Sequence, residues 1–278
     1  MQKEQEIITS RQNPLVQLTA SLADRKHREK EGLFRFDGKK LMIEALDKGL
    51  PLVAILYRAS SAEALMRIAA GKSLPDGCRP AVLADTLFDR ISEEKAPDGV
   101  ICLSKRLDKF HKIITIDKRC APEEVFSAGR TLVLESVRDP GNLGTIIRSA
   151  AAFGIANLVL SVDCADIYHP RTIRAAMGAL FTKRIIVVEH VADAMQFLAT
   201  RGRVYAAALD AGAVRLGEVR FGENDTVVVG NEGHGLSPAA LAAATDKLFI
   251  PMEAGVESLN AGVAASVLLW ELYQGWSQ

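Results

Sequence analysis

The chain has 278 residues, 49% of them hydrophobic, and 34 basic side chains balance 34 acidic ones. This is the composition of a soluble globular protein long enough for two domains with separate cores. No run of about 18 apolar residues occurs, and no apolar segment follows the charged N-terminus, so neither a membrane span nor export is expected. Cys78, Cys102, Cys120 and Cys164 lie far apart with no CxxC pair. That spacing predicts neither a metal site nor a disulfide framework, and it fits a cytoplasmic protein.

The charges are unevenly spread. Residues 1–120 hold 22 Lys and Arg against 17 Asp and Glu, whereas residues 121–278 hold 12 against 17. Basic density peaks at Arg25, Lys26, Arg28, Lys30, Arg35, Lys39 and Lys40, and again at Lys105, Arg106, Lys109, Lys112, Lys118 and Arg119. A basic front half suits phosphate neutralisation on a nucleic acid, although an ordinary solvated surface has the same composition.

In chain order, Asn13-Pro14 opens a helix through LVQLTASLADRKHRE, with Leu15, Leu18 and Leu22 on one face. LFRFDG alternates as a short strand, Lys39 to Lys48 forms a helix closed by Gly49, and LVAILY is a buried strand. SAEALMRIAAG follows as a helix with a glycine stop. AVLAD and GVICLSK are strands, the second after the turn Pro97-Asp98-Gly99. Residues 1–104 therefore read as a small α/β domain. Residues 105–128, of mixed charge and weak periodicity, read as a linker.

From residue 129 to 278 the alternation is strong. TLVLES, NLVLSV, RIIVVE, VYAAAL, TVVVGN and KLFIPM are apolar runs of strand length, separated by helical segments such as TIIRSAAAF, RTIRAAMGAL, VADAMQFLATRG and SPAALAAAT. Continuous apolar strands alternating with helices predict a parallel sheet covered on both faces. Ligands in such sheets bind beyond the carboxyl ends of strands. Three loops fall there: ESVRDPGNLG (135–144), leading into a helix that carries Arg148; GNEGHGLS (230–237); and IPMEAGVESLNAG (250–262), leading into the last helix. Singly, each has a structural explanation as a turn, a glycine corner or a helix cap.

Together, and in this order, the loops resemble the three motifs of the SpoU/TrmH RNA 2′-O-ribose methyltransferases of the SPOUT superfamily. The first motif is similar to Asn142-Leu143-Gly144-Thr145-Ile146-Ile147-Arg148 and the second to Gly230-Asn231-Glu232-Gly233-His234-Gly235-Leu236. The third is similar to Ile250-Pro251-Met252 followed by Glu257-Ser258-Leu259-Asn260. HPRTIRAAMGAL (169–180) resembles the segment between the first two. ITSRQNPLVQ and FRFDGKKLMIEAL resemble the small α/β substrate-binding domain that often precedes this catalytic domain. Asp37, where Glu is frequent, and Gly262, where a serine is common, depart from the pattern.

The resemblance implies a SPOUT domain with a deep trefoil knot, dimeric through that domain, with its active site near the subunit interface. It implies S-adenosylmethionine as cofactor, held largely by backbone around Leu209, Gly230, Asn231, Gly233, Gly235, Ile250, Met252, Ser258 and Leu259. The glycines would let the backbone approach the cofactor closely. The substrate would be rRNA or tRNA, bound in part by the basic front half. Arg148, Asn142, Glu232, Ser258 and Asn260 are the implied catalytic set. An arginine is a poor base, with a pKa above about 12. Arg148 is therefore read as binding the phosphate beside the target ribose and stabilising the developing alkoxide, with the proton acceptor left open. Asn142 would hold Arg148 or its loop, and Glu232 would order the cofactor loop or pair with an arginine. Ser258 and Asn260 would contact substrate or loop. His234 is read as solvent-facing and His169 as a helix start.

A conventional Rossmann-type methyltransferase fails on order, since the glycine loop comes after the fifth apolar strand rather than the first, and a P-loop phosphotransferase fails because GxxxxGK[ST] is absent. Methylation of an RNA base, and a noncatalytic RNA-binding protein that retains the fold, remain as alternatives.

Overall fold

In a computed structural model of the chain, residues 6–107, 111–114, 122–256 and 258–274 are described. Packing divides the chain into two compact units, Met1–Leu107 with Tyr168–Thr182, and Asp108–Ile167 with Lys183–Gln278. Glu257, Lys109, Lys118, Arg119 and Cys120, all singled out in the sequence, lie outside the described residues.

The first unit runs β1 (Ile7–Ile8), α1 (Pro14–Ser21), α2 (Arg25–Glu31), β2 (Leu33–Asp37), α3 (Lys39–Asp47), β3 (Leu52–Arg58), α4 (Ala62–Ala70), β4 (Arg79–Leu83), α5 (Asp85–Ile91) and β5 (Val100–Lys105). Its strands form one sheet in the order β1-β4-β3-β5-β2. β1, β4 and β3 are parallel, and β5 joins β3 and β2 antiparallel. Alternate residues Ala54 and Leu56, Ala81 and Leu83, and Ile101 and Leu103 share one core with Val16, Leu22, Leu87 and Phe88. This is the period-two burial expected of strands with a covered face.

The one helix expected after Asn13 is two. Asn13 caps α1 by accepting from the Leu15 N–H at 2.9 Å, and Asp24 starts α2 by accepting from the Lys26 N–H at 3.0 Å. Arg28 braces the break, its guanidinium donating to the carbonyls of Leu22 and Ala23 at 2.8 and 2.6 Å. Arg28 is buried, and so is Arg35, which donates to both oxygens of Asp37 at 2.7 and 2.9 Å. Two residues of the first basic cluster are thus structural and leave the cationic surface. Asp37 also accepts from Ser92 Oγ at 2.9 Å and from the Glu93 N–H at 3.1 Å, so its short carboxylate is fully engaged.

The second unit contains β6 (His111–Ile114), α6 (Pro122–Val125), β7 (Thr131–Leu134), α7 (Pro140–Ala152) and β8 (Asn157–Ser161). The chain then enters the first unit with α8 (Pro170–Ala176) and a 3-10 turn, Met177–Phe181. Tyr168 packs on Phe34 and Phe181 on Phe36, with ring centroids 4.8 and 5.2 Å apart, and Lys48 Nζ donates to the Gly178 carbonyl at 2.8 Å. Back in the second unit come β9 (Ile185–Val188), α9 (Val191–Leu198), β10 (Val204–Ala207), β11 (Val214–Arg215), β12 (Thr226–Val229), α10 (Pro238–Ala243), β13 (Asp246–Phe249) and α11 (Ala261–Gln274).

These strands form one parallel sheet, ordered β11-β13-β10-β12-β7-β8-β9-β6. β6 lies in the stretch read as a linker; four residues are too few to carry a periodic signal. Val133, Val159, Ile186, Val188, Val204, Ala206 and Val228 meet α9 and α10. α7 and α11 pack on each other, burying Ile146, Ile147, Leu268 and Leu269 completely. Each such side chain contributes about 1.5–3 kcal/mol of transfer free energy.

The Arg35–Asp37 pair yields a stability prediction. Asp37→Ala leaves a buried guanidinium without its counter-charge and should lower the unfolding free energy by about 3–5 kcal/mol in urea titration. The double change Arg35→Met with Asp37→Leu should recover most of that loss; equal destabilisation by both variants would show that packing, not the stranded charge, is responsible.

Candidate active site

β13, β10, β12 and β7 are adjacent and parallel, so the loops that leave their carboxyl ends gather on one edge of the sheet. The loops after β10, β12 and β13 enclose a cleft of about 290 Å³, near the lower end of the roughly 300–1,000 Å³ usual for small-molecule sites; the loop after β7 is bonded to the second and third motif loops but does not line it. Its floor is apolar, built by Ala207, Val229, Leu248 and Phe249, and α11 adds Ala261 and Ala264. Leu209, Gly230, Asn231, Gly235, Ile250, Met252, Ser258 and Leu259 line it, as does Glu232; Gly233 does not. Leu209 is 68% exposed at the rim.

The three motif loops meet at one side chain. Asn142, in the first turn of α7, donates from Nδ2 to Glu232 Oε1 at 2.8 Å and accepts at Oδ1 from Asn260 Nδ2 at 2.9 Å. Its backbone N–H is held by the cap Asp139 at 2.8 Å. Glu232 therefore pairs with an asparagine rather than an arginine. Asn260 in turn accepts at Oδ1 from the N–H groups of Gly262 and Val263 at 2.9 and 3.3 Å, capping α11. A Cβ on Gly262 would lie 3.1 Å from Asn260 Oδ1 and 3.4 Å from Asn142 Oδ1, so the departure at this position leaves room for the junction.

Asn231 folds the second loop on itself. Its Oδ1 accepts from the N–H groups of Gly233 and His234 at 2.8 and 3.2 Å, while its backbone exchanges hydrogen bonds with Gly235. The glycines have separate reasons. A Cβ on Gly230 would sit 2.4 Å from the Gly235 carbonyl carbon, and Gly235 has a φ of +67°. At Gly233 the added atom would meet only Asn231 Oδ1, at an ordinary 3.4 Å. Close turn packing thus explains Gly230, and backbone conformation explains Gly235.

Arg148 is exposed on α7 and makes no hydrogen bond or ion pair among the described residues. Ser258 is exposed at the cleft, and its hydroxyl likewise has no partner there. His234 is exposed, and His169 caps α8 by accepting from the Arg171 N–H at 3.1 Å. Glu135, which the motif reading passed over, accepts from the N–H and hydroxyl of Ser237 at 2.8 and 2.7 Å and fastens the first loop to the second. Its signal was faint: an acidic residue at a strand end, and a Ser-Pro helix start about a hundred residues on.

A ligand cleft at the carboxyl edge of a parallel sheet, floored by apolar side chains and walled by glycine and asparagine loops, defines a class of small-molecule-dependent α/β proteins. Comparison narrows the class. The profile of the SpoU rRNA Methylase family matches residues 129–270, and that of the MRM3-like substrate binding domain matches residues 13–102. The chain belongs to the SpoU rRNA methylase family. It is 29% identical to the 23S rRNA (guanosine(2553)-2′-O)-methyltransferase RlmP of Bacillus subtilis, across 95% of this chain and 98% of that one. Among solved structures, a TrmH-family protein from Porphyromonas gingivalis is 31% identical with a TM-score of 0.75, covering 92% of this chain and 95% of that one. An AdoMet-bound rRNA methyltransferase from Sinorhizobium meliloti is 26% identical with a TM-score of 0.79, covering 99% of each chain.

The glycine geometry separates two residues of one loop. Gly230→Ala forces a methyl into backbone and should lower the unfolding free energy by about 1–3 kcal/mol. Gly233→Ala should change it by less than about 0.5 kcal/mol. Thermal unfolding monitored by calorimetry reads the difference; equal effects would contradict this account of the turn.

Proposed function

We propose that the chain is an S-adenosylmethionine-dependent methyltransferase acting on the 2′-hydroxyl of a ribose in ribosomal RNA. The observation that carries this reading is the joining of all three motif loops at Asn142 beside one cleft, in a chain whose relatives include an rRNA 2′-O-methyltransferase and an AdoMet-bound rRNA methyltransferase. The cleft fits the cofactor in kind: an apolar floor for a flat ring system, and a lining in which Gly230, Asn231, Gly235 and Ser258 offer polar groups. When bound, S-adenosylmethionine supplies an electrophilic methyl group on a positively charged sulfur.

The chain's residues do the rest. Leu209, Ile250, Met252 and Leu259 cover the bound ligand and exclude water, while Gly230, Asn231, Gly235 and Ser258 meet its polar groups. Glu232, Asn142 and Asn260 hold the loops in register. Arg148, exposed and without a partner among the described residues, is left to the RNA. Its planar fork suits the phosphate beside the target ribose and stabilises negative charge as it grows on the 2′-oxygen.

The first unit is assigned to RNA binding, supported by its substrate-binding-domain match and by the exposed Lys26, Lys30, Lys39, Lys40 and Lys105. A homodimer through the second unit forms part of the proposal. Val263, Trp270 and Tyr273, 50%, 46% and 37% exposed, share one face of α11, and Phe153 packs against both rings. The knotted threading and a cytoplasmic location complete the reading; the family match, and three free cysteines among the described residues, support them.

Methyl transfer to unmodified rRNA, followed by mapping of 2′-O-methyl groups, tests the function. Arg148→Ala should lower turnover about a hundredfold or more while leaving S-adenosylmethionine affinity within about twofold, and Arg148→Lys should not restore it fully. Near-normal turnover in Arg148→Ala with lost thermal stability would make the arginine structural.

A further inference from the structure

Ser136 follows β7 in the first loop with a φ of +58°, a left-handed conformation that glycine adopts freely and other residues adopt at a cost. All of its polar groups are engaged. The N–H donates to Ser161 Oγ at 2.8 Å, the hydroxyl donates to Asp163 Oδ2 at 2.5 Å, and the carbonyl accepts from Asn231 Nδ2 at 2.8 Å. Asp163 is itself anchored: Ser161 Oγ donates to its Oδ1 at 2.6 Å and Arg138 to its Oδ2 at 3.1 Å.

The third of these bonds reaches the cleft. Asn231 shapes the turn 230–235 through its Oδ1, and its amide is oriented from the other end by the Ser136 carbonyl. In this left-handed conformation that carbonyl points to Asn231. Neither Ser136 nor Asp163 lines the cleft, and the Ser136–Asn231 hydrogen bond links them to a residue that does. We infer that Ser136 and Asp163 are positioning residues for the cofactor loop: the Asp163–Ser136 hydrogen bond holds the left-handed turn that orients Asn231. The inference rests on the reading of the cleft as the S-adenosylmethionine site. Burial raises the Asp163 carboxyl, but hydrogen bonds from Ser136, Ser161 and Arg138 outweigh it and keep the group ionised below the usual carboxylate range.

The test separates the hydroxyl's restraint from the backbone's cost. Ser136→Ala keeps a Cβ in the left-handed region and loses the bond that holds it there, whereas Ser136→Gly loses the bond but needs no restraint. In the ligand-free protein, Ser136→Ala should speed amide hydrogen exchange at Gly233 and His234 about tenfold and raise the calorimetric Kd for S-adenosylmethionine about tenfold. Tenfold corresponds to about 1.4 kcal/mol, the size of the left-handed penalty. Ser136→Gly should stay within about threefold of the parent protein in both measurements, and Asp163→Ala should follow Ser136→Ala. Parent-like exchange and affinity in Ser136→Ala, or equal losses in the alanine and glycine variants, would overturn the inference. If exchange responds as expected while the parent protein binds no S-adenosylmethionine, the loop role stands and the reading of the cleft fails.

Discussion

The amide of Asn142 is engaged at both ends, donating a hydrogen bond to Glu232 and accepting one from Asn260. Those partners stand 90 and 118 residues away along the chain, and each belongs to a loop leaving a different strand. Each bond is worth only about 0.5–1.5 kcal/mol net, less where water competes. Their value is geometric. An amide donates and accepts from a single rigid plane, so it can join a carboxylate to a second amide and fix both.

The rest of the site follows from that junction. Because Asn142 is tied to the loops, it is not free to orient Arg148, and the helical offset of six residues puts the two on different faces of α7. Arg148 is held by its helix alone and faces outward. Asn231 and Glu135 make the same kind of link nearer the sheet, so the second loop is fastened to the first at three points. A site built from loops gains in this way some of the rigidity of the strands beneath it.

Much of this was legible in the sequence because it depends on local pattern. The apolar runs of the second half are the strands of its parallel sheet, and of the three loops flagged by glycine, asparagine and proline the second and third wall the cleft while the first is bonded to both. What the sequence withheld is long-range. It gave no means to know that β7, β10, β12 and β13 lie side by side, which is what brings the loops together. Segment 168–182 packs in the first unit through Tyr168 and Phe181, although its neighbours in sequence pack in the second. Composition counted Arg28 and Arg35 with the surface cations, whereas both are buried with their hydrogen bonds made inside the unit. Asp24, read as one more residue of a helix, instead starts a second one.

The central claim is that the three loops act as one unit through Asn142. A double-mutant cycle between Glu232→Ala and Asn260→Ala, read as kcat/KM for methyl transfer, tests it most directly, because these residues touch Asn142 from opposite ends. If the loops act together, either change alone should cost nearly as much as both, a strong departure from additivity. Losses that simply multiply would mean that the two bonds act independently, and would contradict the account.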